Sequence, residues 1–447
     1  MAARNRKTSM SKSSNIPSTR SEVESDTEAV SSQRSHGASG QLGDANTGDS
    51  FPYASNGVLN TGSSAVGDDV MAIQSSSSGP IRDVIGIFVV AFDTKEGNLL
   101  EWCVPQELPL EGVEFRALIS GAHTITSDFI YFRQGDYFGA ACYEKLTVLS
   151  EIERGARMKS VGVIVANYDT LHHHLGYLAQ QVSNMLHNPG DYSALEEYYQ
   201  KRQATIPSSW DTPQKYTSPP VQISKTSPPV DGHGEGFEEL LQLYGEQLLV
   251  LWRATLLCKR ILLFSPPPIG MLCSRVHSIS LLGSHTTPGL PSQLLRPLYY
   301  VNIADVETLQ EQHAYIACTT EKIFEEKTGL LDIYVDNQNI RIPGSVRHLL
   351  MINAQDRKRL THLQCIAQSS RRSVEEFINY FSQLNNKIFS TLFVISQADD
   401  NVLKSHHIES MGLHPQHDRA FVSELALTHG FDITTNKDRW KCCPCDY

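Results

Sequence analysis

Between Gln203 and Gly236 the chain carries six prolines (Pro207, Pro213, Pro219, Pro220, Pro228 and Pro229), with Ser-Pro-Pro occurring twice and little apolar patterning between them. Proline lacks a backbone N–H and fixes φ, so such a stretch can continue neither a sheet ladder nor a helix. It reads as a linker. Folding must therefore take place on either side of it, and 447 residues with 40% hydrophobic content leave room for two or three cores. The first 80 residues add little to them. They hold 19 serines and 8 glycines, few aromatics and no sustained apolar period, so burial could not offset the entropy of ordering them. A solvated tail is the expectation, and the basic-then-Ser/Thr string Arg4 to Ser13 fits either that tail or a kinase site.

Order starts at Ile81. The run Ile85 to Phe92 is apolar and β-branched, Asp93 to Asn98 is turn chemistry, and Leu99 to Val104 is apolar again up to Pro105, which makes a hairpin. Asp128 to Arg133 and Tyr137 to Tyr143 flank Gln134-Gly135-Asp136 as a second hairpin, and Val161 to Ala166 is a fifth strand. Leu171, Leu175, Leu178, Val182 and Leu186 then recur at helical spacing until Asn188-Pro189-Gly190. Five mostly antiparallel strands and a packed helix describe an α+β lobe.

Beyond the linker, Phe237, Leu240, Leu241, Tyr244, Leu248, Leu251, Trp252 and Leu256 form one wide apolar stripe, a buried helix with Lys259-Arg260 at the negative end of its dipole. Ile261 to Phe264 is a short strand stopped by Pro266-Pro267-Pro268. Leu298 to Ile303, Ala314 to Cys318 and Leu331 to Val335 are further strands, separated by segments that read as either helix or loop. Alternation of strand and helix implies a parallel or mixed sheet. Val374 to Ile395 keeps a helical period, and Asp418 to His429 reads as a capped helix closed by Gly430. The expected fold class is α/β with an α+β N-terminal lobe and a helical C-terminal part.

The chemistry expected is sparse. Lys plus Arg total 38 against 49 Asp plus Glu, a net charge of -11, which argues against a nucleic-acid partner. Residues 81–200 hold 16 acidic and 8 basic residues, either a solvated face or a surface that steers a basic partner. The longest apolar run, Leu248 to Cys258, is interrupted by Arg253 and is too short to span a membrane. The start, Met-Ala-Ala-Arg, lacks a signal-peptide core, so a cytoplasmic chain is expected. No phosphate-cradle Gly-x-x-x-x-Gly-Lys-Ser/Thr and no Gly-x-Ser-x-Gly elbow occurs; Gly232 to Gly236 sits in the linker with no strand before it. His172 to His174 cannot converge on one metal from consecutive helix positions, so no metal and no cofactor is expected. Cys103, Cys142, Cys258, Cys273, Cys318 and Cys365 stand singly in mostly apolar segments and read as reduced core thiols. The end, Cys442-Cys443-Pro444-Cys445-Asp446-Tyr447, fits an unstructured tail or reversible acylation, but not a prenylation box.

Specific strings carry more. Gly86-Ile-Phe-Val-Val-Ala-Phe-Asp93, Gly112-Val-Glu-Phe115, Ser127-Asp-Phe-Ile-Tyr-Phe-Arg133, Glu153-Arg-Gly-Ala-Arg-Met-Lys-Ser-Val-Gly162, Lys259-Arg-Ile-Leu-Leu-Phe-Ser-Pro-Pro-Pro268, Ala317-Cys-Thr-Thr-Glu-Lys-Ile-Phe324 and Tyr334-Val-Asp-Asn-Gln338 resemble the DENN-domain family, in order over about residues 81 to 435. The resemblance implies a longin-like lobe at 81–202, the linker at 203–236, a central DENN region at 237–370 and a downstream helical DENN region at 371–435, flanked by the 1–80 tail and a 436–447 tail. It implies a guanine nucleotide exchange factor for a Rab-type small GTPase, working through a cleft between lobes without a nucleophile or metal of its own. Peripheral membrane recruitment through that GTPase and association with another DENN protein follow from the same likeness.

Asp128 and Arg133, which bound the first strand of the second hairpin, are the candidate GTPase-binding residues. Two other classes stay open. A GTPase-activating role would need an exposed arginine finger, for which Arg116, Arg154 and Arg157 are candidates besides Arg133, each also able to serve as an ion-pair partner. A noncatalytic scaffold binding a GTPase or a DENN partner is the third.

Overall fold

The first strand is apolar through most of its length, and it lies one strand in from the edge of the sheet. In the computed structural model, which describes residues 82–204, 237–291, 294–369 and 373–434, Val84 to Val90 of β1 (Val84–Asp93) are all buried. The Ser-rich tail, the prolines of the linker and the cysteine-containing end lie outside the described residues. β1 is flanked by β2 (Gly97–Val104) and β5 (Ala156–Val165), both antiparallel. Between them in sequence come α1 (Val113–Ala117), β3 (Ser127–Gln134) and β4 (Tyr137–Thr147); after them come α2 (His172–His187) and α3 (Ser193–Arg202). β4 pairs with β3 on one side and β5 on the other. Sheet residues with no side chain make room for large neighbours: a Cβ on Gly139 or Gly162 would lie under 2.5 Å from the ring of Phe132 or Phe88 respectively.

Beyond the linker the elements run α4 (Phe237–Tyr244), α5 (Gln247–Leu256), β6 (Ile261–Phe264), α6 (Gly270–Leu281), β7 (Arg296–Tyr300), α7 (Val306–Glu311), β8 (Tyr315–Thr319), β9 (Ile333–Asp336), β10 (Asn339–Arg341), α8 (Gly344–Arg347), α9 (Ala354–Ser369), α10 (Ser373–Ser396), α11 (Ser405–Ser410) and α12 (Arg419–Thr428). β6 pairs in parallel with β8 and β9, and β7 with β8, the arrangement expected of short apolar strands covered on both faces. All ten strands share one sheet, in the order β10-β9-β6-β8-β7-β3-β4-β5-β1-β2. The join between β3 and β7 is narrow, one registered antiparallel pair, Phe132 opposite Tyr299.

Several expectations shift. The single helix read over Phe237 to Leu256 is two helices, because Gly245 adopts φ +52° and lets the chain turn between α4 and α5. Arg253, which interrupts the apolar run, is 1% exposed and bonds Asp356 at 2.6 Å and Asp418 at 2.9 Å. Asp418 therefore does not cap α12 with its side chain. Its carboxylate takes Arg253, the Asn353 amide at 2.8 Å and the His414 N–H at 2.7 Å instead. Arg260 locks onto Asp332 (2.9 Å) rather than serving only the end of a helix. Cys142, Cys273 and Cys318 are buried thiols and Cys103 and Cys258 half-buried, whereas Cys365 is exposed, because α9 turns that side outward. Trp252 is fully buried and donates to Asn385 at 2.8 Å.

Candidate functional site

Side chains on both sides of the β3–β7 join extend the single backbone pairing into a seam. Asp128, at the start of β3, accepts the N–H of Ile269 at 2.6 Å and of Gly270 at 3.1 Å, where α6 begins. Burial dominates and pushes its carboxyl up to about 6, although those two amides and that of Phe129 favour the ionised form. Gly270 has room for no side chain there, since a Cβ would lie 2.8 Å from both the ring and the carbonyl of Phe129. On the same side of the sheet Tyr168 stacks on His277 (centroids 4.3 Å apart) and on Tyr299 (5.0 Å); burial lowers His277 to about 4. Tyr299 itself sits at φ +59°, a conformation uncommon for a bulky side chain. Further along, Arg116 of α1 is ion-paired with Asp305 and donates to Gln134 at 2.8 Å. Asn302 donates to the Phe115 carbonyl at 3.3 Å, and Thr320 to that of Ser120 at 3.1 Å.

The arginines named from sequence are not gathered in one place. Arg116 is committed to Asp305, and Arg157 to Glu153 (2.6 Å) and the Leu186 carbonyl (2.7 Å). Arg133 lies 3.9 Å over the ring of Phe138, and burial pulls its guanidinium down to about 10. Its Nε has no hydrogen-bond partner. Arg154 is exposed, at φ +51°, and has no ion pair among the described residues. Asp128 and Arg133 thus share β3 and are both half-buried, directed at α6 and at Phe138 rather than standing on a solvated rim.

What the seam presents outward is apolar. Phe115 is 47% exposed, Ile303 46% and Ile323 52%. The bond from Asn302 to the Phe115 carbonyl joins the segments that carry the first two, and the Ile303 amide hydrogen-bonds the carboxylate of Glu321, two residues before Ile323. Asn98 of β2 donates to the carbonyls of Glu114 (3.2 Å) and Leu118 (2.8 Å), which brings the β2 edge against α1. Phe92 and Leu100, also exposed, share the Asn98 face of the sheet. Around this band the charge is mostly negative: residues 111–118, 302–309 and 320–327 carry seven carboxylates and three cations. Exposed apolar side chains gathered at a junction, with a charged border, are the composition of a protein interaction surface. The spacing of Phe115, Ile303 and Ile323 along the chain gives no hint of this, since apolar residues in elements read as core; the signal lay in the strings Gly112 to Phe115 and Ala317 to Phe324.

Comparison with known proteins decides what kind of molecule carries this seam. The family model for DENN domain-containing protein 11 matches residues 87–346, so both sides of the seam fall within it. The chain belongs to the DENN domain-containing protein 11 family. Proteins of that name from Danio rerio (42% identical over 381 residues, 81% of this chain and 78% of the relative), Xenopus laevis (41% over 378 residues, 81% and 87%) and Mus musculus (40% over 388 residues, 81% and 83%) are similar to it through most of its length. The match at 87–346 also runs across the proline-rich stretch, so α4 to β10 and nearly all of the first five strands fall within one family match. No helix among the described residues is long and apolar enough to cross a membrane.

Proposed function

We propose that this DENN protein is a guanine nucleotide exchange factor for a Rab-type small GTPase, and that it docks the GTPase on the band of Phe115, Ile303 and Ile323 along the seam. Family membership supports the general class, since DENN-domain proteins generally act on Rab GTPases. The observation that carries the site is the exposed apolar band where α1 meets the ends of β7 and β8. A GTPase holds its nucleotide with nanomolar to picomolar affinity, roughly 12 to 16 kcal/mol, so an exchange factor must stabilise the empty state on a comparable scale. A surface of about 1,600 Å² can do that without a nucleophile or metal. In this reading residues 81–202 form a longin-like lobe, 237–370 and 371–435 the remaining DENN regions, and Asp128 and Arg133 serve the GTPase indirectly, Asp128 by holding β3 to α6 and Arg133 by packing on Phe138 of β4. The chain acts in the cytoplasm and reaches membranes through its GTPase.

The test is release of labelled GDP from a panel of purified Rab proteins. Acceleration of one or more is expected, and loss of that acceleration on Phe115→Asp with melting unchanged. No acceleration of any Rab, with tight binding retained, would replace exchange by the scaffold role. Arg154 is the arginine whose exposure suits a GTPase-activating role, and faster GTP hydrolysis without faster GDP release would establish it.

A further inference from the structure

Glu321 stands at the turn out of β8, and its Oε2 is buried without a hydrogen-bond partner. A desolvated carboxylate oxygen left unpaired is unfavourable, by an amount that a cation placed against it would recover. Burial raises its pKa, the nearby negative charge of Asp305 raises it further, and only the Ile303 amide opposes them. Arg116, the cation on Asp305, is bound there, and Lys322, the adjoining residue, is exposed. Ile303, whose amide meets this carboxylate, and Ile323, two residues on, both have exposed side chains, and Asn302 beside Ile303 bonds the Phe115 carbonyl.

We infer that Glu321 is the charge-reading residue of the docking band, and that it receives a lysine or arginine of the GTPase inserted between Ile303 and Ile323. The inference rests on the proposed GTPase reading and goes beyond it by stating what the partner must offer: a basic side chain flanked by apolar ones. Charge complementarity favours this occupant, since the border of the band is acidic and a partner surface of the same sign would be repelled. The apolar neighbours exclude water from the pair, which strengthens it relative to an ion pair on an open surface.

The experiment measures association of the full chain with a panel of purified GDP-loaded and nucleotide-free Rab proteins, over a range of salt, for wild type, Glu321→Gln, Glu321→Lys and Phe115→Ala, with thermal melting of each. Glu321→Gln keeps shape and removes charge; it should weaken binding about thirty-fold or more and flatten the salt dependence. Glu321→Lys should abolish binding, and if it does not fold, the Gln variant carries the test. Phe115→Ala should weaken binding while leaving the salt slope as in wild type. Wild-type affinity and salt slope in a folded Glu321→Gln would overturn the inference and leave the GTPase reading standing. Failure of wild type to bind any Rab would overturn both.

Discussion

The carboxylate of Asp128 accepts the backbone N–H of Ile269 at 2.6 Å, so a side chain from the second hairpin closes the first turn of a helix 141 residues later in the chain. Its position explains why it is held above the ordinary carboxylate range: burial outweighs the amides that favour the anion. A carboxyl whose folded pKa is raised binds its proton more tightly in the fold than in the unfolded chain. Its contribution to stability is therefore complete below the ordinary value of 3.8 and is lost as pH rises through about 6. Between about pH 5 and about pH 7.5 the wild type should lose about 1 kcal/mol relative to Asp128→Asn, which has no such titration. Denaturant unfolding of both proteins at the two pH values checks this; parallel changes would show that Asp128 does not titrate there.

Trp252→Ala should cost about 3 to 5 kcal/mol. The indole is fully buried, and its loss also leaves the Oδ1 of Asn385 without its donor, while the Nδ2 of Asn385 still bonds the Leu282 and Ser284 carbonyls. An unchanged melting temperature would contradict the packing.

Asp356→Ala should cost about 3 to 5 kcal/mol as well, by a different route. Asp356 is fully buried and answers both Arg253 and Arg359, each at 2.6 Å. Its removal leaves Arg253 with Asp418 and Arg359 with the Gly412 carbonyl. The comparison is with Asp400→Ala, whose partner Lys404 is solvent-exposed; that change should move stability by no more than about 0.5 kcal/mol.

Limited proteolysis should cut first before residue 82 and between residues 205 and 236, where composition is Ser- and Pro-rich. Both boundaries meet at β1: Ala204 donates to the Val84 carbonyl at 2.8 Å. The two products of linker cleavage should elute together from a sizing column, because the sheet passes from one to the other. Early cuts within β3 or α6 would oppose the proposed boundaries.

Arg154→Ala should leave melting unchanged within about 0.5 kcal/mol, since the side chain is exposed and makes no ion pair among the described residues. GDP release should also be unchanged if exchange is the activity. A selective loss of GTP hydrolysis would favour the activating role.

The strands other than β10 were legible because β-branched runs between turn residues leave few alternatives: Ile261 to Phe264 reads to its exact ends. Helices buried on most sides or carrying several polar residues were harder. α6 mixes glycine, serines and a buried histidine contact with its apolar positions, and α9 shows the interior mainly Leu363, Asp356 and Arg359, so neither has a clean apolar period. Arg253 and Asp418 could not be paired from sequence, as 165 residues separate them and each had a plausible local role. Asp128 and Arg133 lie on β3 and are directed at α6 and at Phe138, which sequence could not tell, because a charge at a strand end looks the same whether it faces solvent or a distant helix. Ile303 read as the end of a strand, and only the fold shows it turned outward.

The pairing of Phe132 with Tyr299 carries the sheet through the whole seam. Rotation of one part against the other would break that pair, unstack Tyr168 from His277 and Tyr299, and pull Asp128 off α6. Under the proposed exchange reading the molecule meets its partner as a die already cut to shape, and the deformation that accompanies docking falls on the GTPase, whose grip on its own nucleotide is what has to yield.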